Sequence, residues 1–210
     1  MKHAKTDGNG CNARYPVLLY VEGSALVFGG GEVGLRKASS LALHGITVTV
    51  VDKKDISLPD DMTLVRAAVT DTNFMNYIED DVSLVVCALD DPGLNDTIAA
   101  YCKKHSIHVN VATSRTSGTV TFPAVLDSGN DIVAFSSMAT CPMCAYALKR
   151  YIMAELPNID IFSDLMHTLY ERGELDRSVV SGILHNKELR AIIRKGSYEK
   201  ALSYIEGEYL

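Results

Sequence analysis

The segment Ala25-Leu26-Val27-Phe28-Gly29-Gly30-Gly31-Glu32-Val33-Gly34 decides the fold. Its apolar residues read as a buried strand, its glycines as a tight turn, and Leu35-Arg36-Lys37-Ala38 as the helix that follows. Gly29, Gly31 and Gly34 fill the three glycine places of G-x-G-x-x-G. The first permits a sharp turn, the second lets backbone approach a pyrophosphate, and the third lets the helix pack close to the strand. The helix start then aims free N–H groups and a positive dipole end at the phosphates.

A glycine pattern gains weight from its surroundings. Residues 35–44 have helical composition, Gly45 is a helix stop, and Ile46-Thr47-Val48-Thr49-Val50-Val51-Asp52 is a β-branched strand ending in an acid. Asp52 stands where a carboxylate can accept hydrogen bonds from a ribose 2′-OH and repel a 2′-phosphate. That favours NAD over NADP, and Lys53 and Lys54 beside it pull the other way. The expected cofactor contacts are Gly29, Gly30, Gly31, Glu32, Val33, Gly34, Asp52, Lys53 and, across the rim, Leu89.

Beyond Asp52 the pattern continues as a short strand at 63–67, a helix near 72–78 and an apolar run at 82–88 interrupted only by Ser83. Such a run marks a central parallel strand buried on both faces. An amphipathic helix at 94–105 and a strand at 108–112 complete a Rossmann-type α/β unit with a parallel sheet. Ligands in such sheets lie beyond the strand C-termini. The glycine turn, Asp52, 89–91 and 110–113 therefore share one rim. After Thr113 the signal changes. Residues 118–127 and 131–136 read as two strands joined by Ser128-Gly129-Asn130, and helices follow to the C-terminus, the first over 141–156 and the last capped by Ser197. Apolar stripes in this tail are Ile159, Phe162, Leu165, Met166 and Leu169, then Val179, Val180, Ile183 and Leu184. The expected divisions are a mobile tail (1–14), a Rossmann domain (15–113), a β-hairpin/helix dimerisation segment (114–156) and a C-terminal helical domain (157–210).

Composition narrows the classes. A net charge of −6 gives no footprint for a nucleic-acid partner. No apolar run is long enough for a membrane span, and residues 1–12 lack the apolar stretch of a signal peptide. Five cysteines are an odd number without the density of a disulfide scaffold, which suits a reducing cytoplasm. Cys11 reads as a tail residue, Cys87 and Cys102 as core or helix residues, and His105 and His108 as structural or surface groups.

Several stretches in order resemble the bifunctional precorrin-2 dehydrogenase/sirohydrochlorin ferrochelatase family, the first module of siroheme synthase. They are Tyr15-Pro16-Val17-Leu18-Leu19, the turn from Gly29 through Arg36-Lys37-Ala38, Val48-Thr49-Val50-Val51, Cys87-Ala88-Leu89-Asp90-Asp91-Pro92-Gly93-Leu94-Asn95, Val109-Asn110-Val111, Phe122-Pro123-Ala124-Val125-Leu126-Asp127 and Ser136-Ser137. The resemblance implies an intertwined homodimer, NAD⁺-dependent oxidation of precorrin-2 to sirohydrochlorin in siroheme biosynthesis, and often insertion of ferrous iron. It also implies that the tetrapyrrole meets Asn110 and Ser137, between the rim and the 136–140 segment. Arg14, Arg36, Lys37, Arg115, Lys149 and Arg150 are candidate counter-charges for its carboxylates.

Two departures bear on activity. Where the family ends this strand in an aspartate that acts as general acid/base, the chain has Thr113. A hydroxyl cannot take up a proton near neutral pH as a carboxylate can. Asp90 is the nearest candidate to replace it. Where the family has Gly-Gly-Thr-Ser-Pro, the chain has Met138-Ala139-Thr140-Cys141-Pro142-Met143-Cys144. Cys141 and Cys144 form C-x-x-C at a helix start, readable as a soft-metal site, a redox pair or two small packing residues. The sequence leaves three readings open: a precorrin-2 dehydrogenase with ferrochelatase as a further candidate activity, a catalytically impaired NAD- or tetrapyrrole-binding protein on the same scaffold, and a metal chelatase or metal-delivery protein using Cys141 and Cys144.

Overall fold

Side chains branched at Cβ favour extended backbone, and the runs of valine, isoleucine and threonine become strands. The computed structural model describes residues 21–114, 116–137 and 141–210. The N-terminal tail with Cys11 and Arg14, the 15–19 motif, Arg115 and residues 138–140 lie outside the described residues. The chain divides into two compact units at Thr113/Ser114.

In the first unit, β1 (Ser24–Phe28), β2 (Thr47–Asp52), β3 (Met62–Arg66), β4 (Val82–Cys87) and β5 (His108–Val111) form one parallel sheet in the order β3-β2-β1-β4-β5. Helix α1 (Glu32–Ala42) links β1 to β2, and α2 (Pro92–Lys104) links β4 to β5. From β1 the chain first moves to one side of the sheet and later to the other. The topological switch point, where such sheets bind ligands, therefore lies between β1 and β4. The central strands are buried as their apolar runs predict: Val27, Phe28, Val50, Val51, Val85, Val86 and Cys87 are all at 0% exposure. Leu26 and Phe28 share a core with Ile98, Ala99 and Cys102 of α2.

One expected element is shorter than the sequence suggests. In place of a helix near 72–78 there is a single 3₁₀ turn (Phe74–Tyr77). Asn73 explains it: its Oδ1 accepts the Thr70 N–H and its Nδ2 donates to the Ala68 carbonyl. A side chain bonded to the preceding backbone competes with helix formation.

The second unit holds an antiparallel hairpin, β6 (Ala124–Asp127) and β7 (Ile132–Phe135), and five helices: α3 (Pro142–Glu155), α4 (Ile159–Glu171), α5 (Arg177–His185), α6 (Lys187–Arg194) and α7 (Tyr198–Tyr209). The strand expected from 118 begins only at Ala124, which pairs with Phe135 at the end of the two-stranded ladder. Ser163 of α4 donates to Asp131 and Asn130 donates to Asp164, fastening the hairpin turn to α4. Leu165, Leu169, Ile183, Leu189, Ile193, Ala201 and Ile205 form the helical core. Asp176 and Asn186 cap α5 and α6 with their side chains. Ser197 stands at the N-cap of α7 as expected, yet makes no side-chain cap bond. Leu184, read as part of an apolar stripe, is exposed.

The turn that joins β1 to α1 leaves no room for side chains at its ends. A β-carbon at Gly34 would stand 1.9 Å from the Gly29 carbonyl oxygen and 3.4 Å from the Ala88 side chain. Backbone cannot yield as a flexible side chain can. Gly34→Ala is therefore expected to destabilise the protein by about 1–3 kcal/mol, measured by urea unfolding. An unchanged midpoint would contradict this packing.

Candidate functional site

Parallel strands end on the same side, so the sheet brings four sequence-distant segments to one rim. The ladder continues past the strand ends: Gly29 N–H donates to the Val51 carbonyl, Ala88 N–H to that of Phe28, and Ala112 N–H to that of Cys87. The glycine turn, Asp52, Leu89 and Thr113 thus stand side by side, as read from the sequence.

Each glycine of the turn meets a different constraint. Gly29 has φ +105°, and a β-carbon there would lie 2.4 Å from the Ala88 carbonyl oxygen. Gly30 is hemmed in by Ile56 and Asp52. Gly31 is the opposite case: a β-carbon there would meet nothing within 4 Å. Gly31 is also the N-cap of α1, so the first N–H groups of that helix have no side chain of their own cap to bond. Glu32 and Val33 at the helix start are exposed, Val33 at 40% despite being apolar. Open space over backbone donors at a helix start fits a pyrophosphate.

Asp52 does more than its place in the motif requires. Its Oδ2 accepts the Gly30 N–H at 2.6 Å and its Oδ1 accepts the Lys54 N–H at 2.8 Å. A carboxylate has about four acceptor positions, so both oxygens keep capacity for ribose hydroxyls. The acid therefore fixes the glycine turn and remains available to a ligand. Lys53 is exposed beside it. In α1, burial and then the neighbouring Arg36 lower the Lys37 ammonium to about 8.

On the other side of the switch point, a residue to which the sequence reading gave no role organises the rim. Asn95 is fully buried in α2. Its Oδ1 accepts the Leu89 N–H at 3.1 Å, and its Nδ2 donates to the Leu89 carbonyl at 2.8 Å. The same amide nitrogen lies 3.5 Å from Thr113 Oγ1. A buried polar side chain must be satisfied, and Asn95 meets that need by clamping the loop after β4. The signal was an asparagine inside an otherwise amphipathic helix.

Thr113 and Asp90 are exposed, and Asn110 is buried within β5. Asp91, beside Asp90, is committed to structure as the N-cap of α2, accepting from the N–H groups of Gly93 and Leu94. Ser137 belongs to the second unit and accepts the Cys141 N–H at 3.0 Å. Cys141 and Cys144 are joined in a disulfide, so in this state they offer no thiolate to a metal. Among the described residues no cluster of three or more His, Cys, Asp or Glu could hold a metal ion, and no helix is long and apolar enough to cross a membrane.

This geometry agrees with comparisons to known proteins. A family described as "Putative NAD(P)-binding" matches residues 19–124, about half of the chain. The chain belongs to that family. Siroheme synthase of Pseudomonas entomophila (strain L48) is 36% identical over 140 residues, covering 65% of this chain and 30% of that protein. Siroheme synthase of Azotobacter vinelandii (strain DJ / ATCC BAA-1303) is 33% identical over 136 residues, covering 63% and 29%. The chain thus spans under a third of the length of these relatives. The solved structure of SirC, precorrin-2 dehydrogenase, has a TM-score of 0.62 at 21% identity, covering 92% of this chain and 100% of that one, and bears on the fold alone. The similarity to siroheme synthases agrees with the resemblance drawn from the sequence motifs, and the SirC structure bears out the expected fold.

For an NAD(P)-binding protein the open position at Gly31 gives a clean test. Gly31→Asp puts a carboxylate where the pyrophosphate belongs and disturbs no packing. The variant is expected to lose NAD⁺ binding in calorimetry while its urea midpoint stays within about 0.5 kcal/mol of the parent. Undiminished NAD⁺ affinity would remove the turn from the site.

Proposed function

We infer that the chain oxidises precorrin-2 to sirohydrochlorin with NAD⁺, as a step of siroheme biosynthesis. The observation that carries this reading is the shared rim of the glycine turn, Asp52 and the end of β5, in a chain similar to siroheme synthases.

A bound NAD⁺ would supply the hydride acceptor. The residues present fit it: α1 and the glycine turn offer N–H groups to the pyrophosphate, and Asp52 offers acceptors to the adenosine ribose. Asp52 favours NAD⁺ over NADP⁺ because a 2′-phosphate would meet its negative charge. The protein's own work is to hold the two reactants in contact and to take up the proton that leaves with the hydride. Asn110 and Ser137 are proposed as contacts for the tetrapyrrole on the strength of the resemblance.

Proton removal is the weak step in this chain. Thr113 Oγ1 can orient a water or a substrate group, but holds no proton-accepting charge. Asp90, exposed in the loop after β4, is the remaining carboxylate candidate. Ferrous iron as a second substrate would suffer more, since Thr113 offers no charge to attract a cation. This substitution favours a second reading, a protein that binds NAD or a tetrapyrrole without turning it over.

One variant separates the two readings. In Thr113→Asp the new carboxylate would lie within reach of the Asn95 amide, which would help to orient it. The variant is expected to form NADH from precorrin-2 faster by about 10²–10⁴-fold, roughly 3–5 kcal/mol of barrier. Iron insertion into sirohydrochlorin, assayed in parallel, is expected to rise as well. Family-like rates in the parent with no gain in the variant would move the proton to another group. No turnover by either protein, with NAD⁺ binding retained, would favour the binding-protein reading.

The partner we propose is a second copy of the chain. Leu148, Tyr151 and Met153 of α3 and Leu156 at its C-cap are exposed, as is Ile132 of the hairpin. Fully burying an exposed side chain of this kind is worth about 1.5–3 kcal/mol, and exposed apolar side chains gathered in one segment suit an interface. Sedimentation is expected to show a homodimer at micromolar concentration, and Leu148→Glu with Tyr151→Glu to shift it to monomer. A monomeric parent would contradict the proposal.

A further inference from the structure

The cysteine pair at the start of α3 has no part in the dinucleotide site, and its environment is that of a reactive group. The described cysteines fall into two classes. Cys87 and Cys102 are free and fully buried. Burial pushes the Cys102 thiol up to about 12 and the Cys87 thiol higher still, so neither forms a thiolate in the native fold. Cys141 and Cys144 are bonded to each other, with Cys144 exposed and Cys141 half-buried.

A purely structural role explains this bond poorly. The bond spans a sequence separation of only three residues within the first turn of a helix. Loop-closure stabilisation grows with the length of chain enclosed and is smallest here. The turn is already held without it, by the N–H groups of Cys144 and Ala145 donating to the Cys141 carbonyl.

The two sulfurs are not equivalent. Cys141 is the N-cap of α3, and its Sγ accepts the Cys144 N–H at 3.3 Å. A negative charge on that sulfur would be stabilised by this donor and by the positive end of the helix dipole. Cys144 lies on the exposed side of the same turn. One sulfur is thus open to attack, and the other is prepared to leave as thiolate.

We propose that Cys141 and Cys144 form a thiol–disulfide exchange site whose reaction partner is a dithiol reductant. A thiolate of the dithiol attacks Sγ of Cys144. A mixed disulfide forms there, and the Cys141–Cys144 bond breaks with its electron pair on Cys141 Sγ. A stabilised thiolate is the better leaving group. The second thiol of the reductant then attacks its own sulfur in the mixed disulfide, closes the reductant's ring and releases Cys144. Two electrons and two protons pass from the dithiol to the pair, leaving two thiols on the protein and one disulfide on the reductant. Ser137 accepts the backbone N–H of Cys141, so the exchange takes place one hydrogen bond from that residue. The proposal does not depend on any role of Ser137 toward substrate.

The test uses the full chain carrying Cys11→Ser. The native protein is equilibrated in mixtures of reduced and oxidised dithiothreitol, quenched with acid, alkylated and mapped by mass spectrometry. Cys141 and Cys144 are expected to gain and lose alkylation together as the mixture is varied, while Cys87 and Cys102 stay unlabelled unless the protein is unfolded. In Cys144→Ser, Cys141 is expected to stay alkylatable in every mixture, and at pH 6 to react with iodoacetamide about tenfold faster than in the urea-unfolded chain. Independent labelling of the two cysteines, full alkylation in the most oxidising mixture, or equal rates folded and unfolded would each overturn the proposal.

Discussion

The first unit depends on a single close approach. At Gly34 helix α1 comes so near the carbonyl of Gly29 that no β-carbon fits between them. That contact fixes where the helix begins relative to β1, the central strand of the sheet. The helix N-terminus is then placed over the strand end, with Gly31 left open above it. The Gly30 N–H bonded to Asp52 extends the constraint to β2, so the strand that carries the acid also holds the turn. Packing, not a special ligand group, creates the cradle.

Across the switch point the same task falls to a buried amide. Asn95 holds both backbone groups of Leu89 and reaches the hydroxyl of Thr113. The rim is thus braced on one side by Asp52 and on the other by Asn95. Both braces are intact in a chain that carries Thr113 just beyond the end of β5. The glycine turn and Asp52 keep the geometry proposed to hold the cofactor, and the departures from the family fall at Thr113 and at residues 138–144.

Much of this was legible in the sequence, for physical reasons that differ by element. The strands were readable because a central parallel strand is buried on both faces and must be largely apolar, as 84–87 is. The glycine turn was readable because its positions admit so few residues. The 72–78 segment was misread because the bonds of Asn73 to its neighbours override helical composition. The strand expected from 118 is longer than the one that forms because apolar and β-branched residues continue N-terminal to Ala124, where the pairing with β7 ends. Asn95 had no reading because its work lies in contacts to residues six and eighteen positions away. The C-x-x-C pair was visible, but its state was not: spacing alone does not distinguish a metal site from a bond.

Asp52 braces the turn through the Gly30 N–H, and we propose that the same carboxylate selects the cofactor. The most direct measurement is calorimetric titration of the native protein with NAD⁺ and, separately, with NADP⁺. NAD⁺ is expected to bind at least about tenfold tighter, a difference of roughly 1.4 kcal/mol. Equal affinities, or tighter binding of NADP⁺, would contradict it.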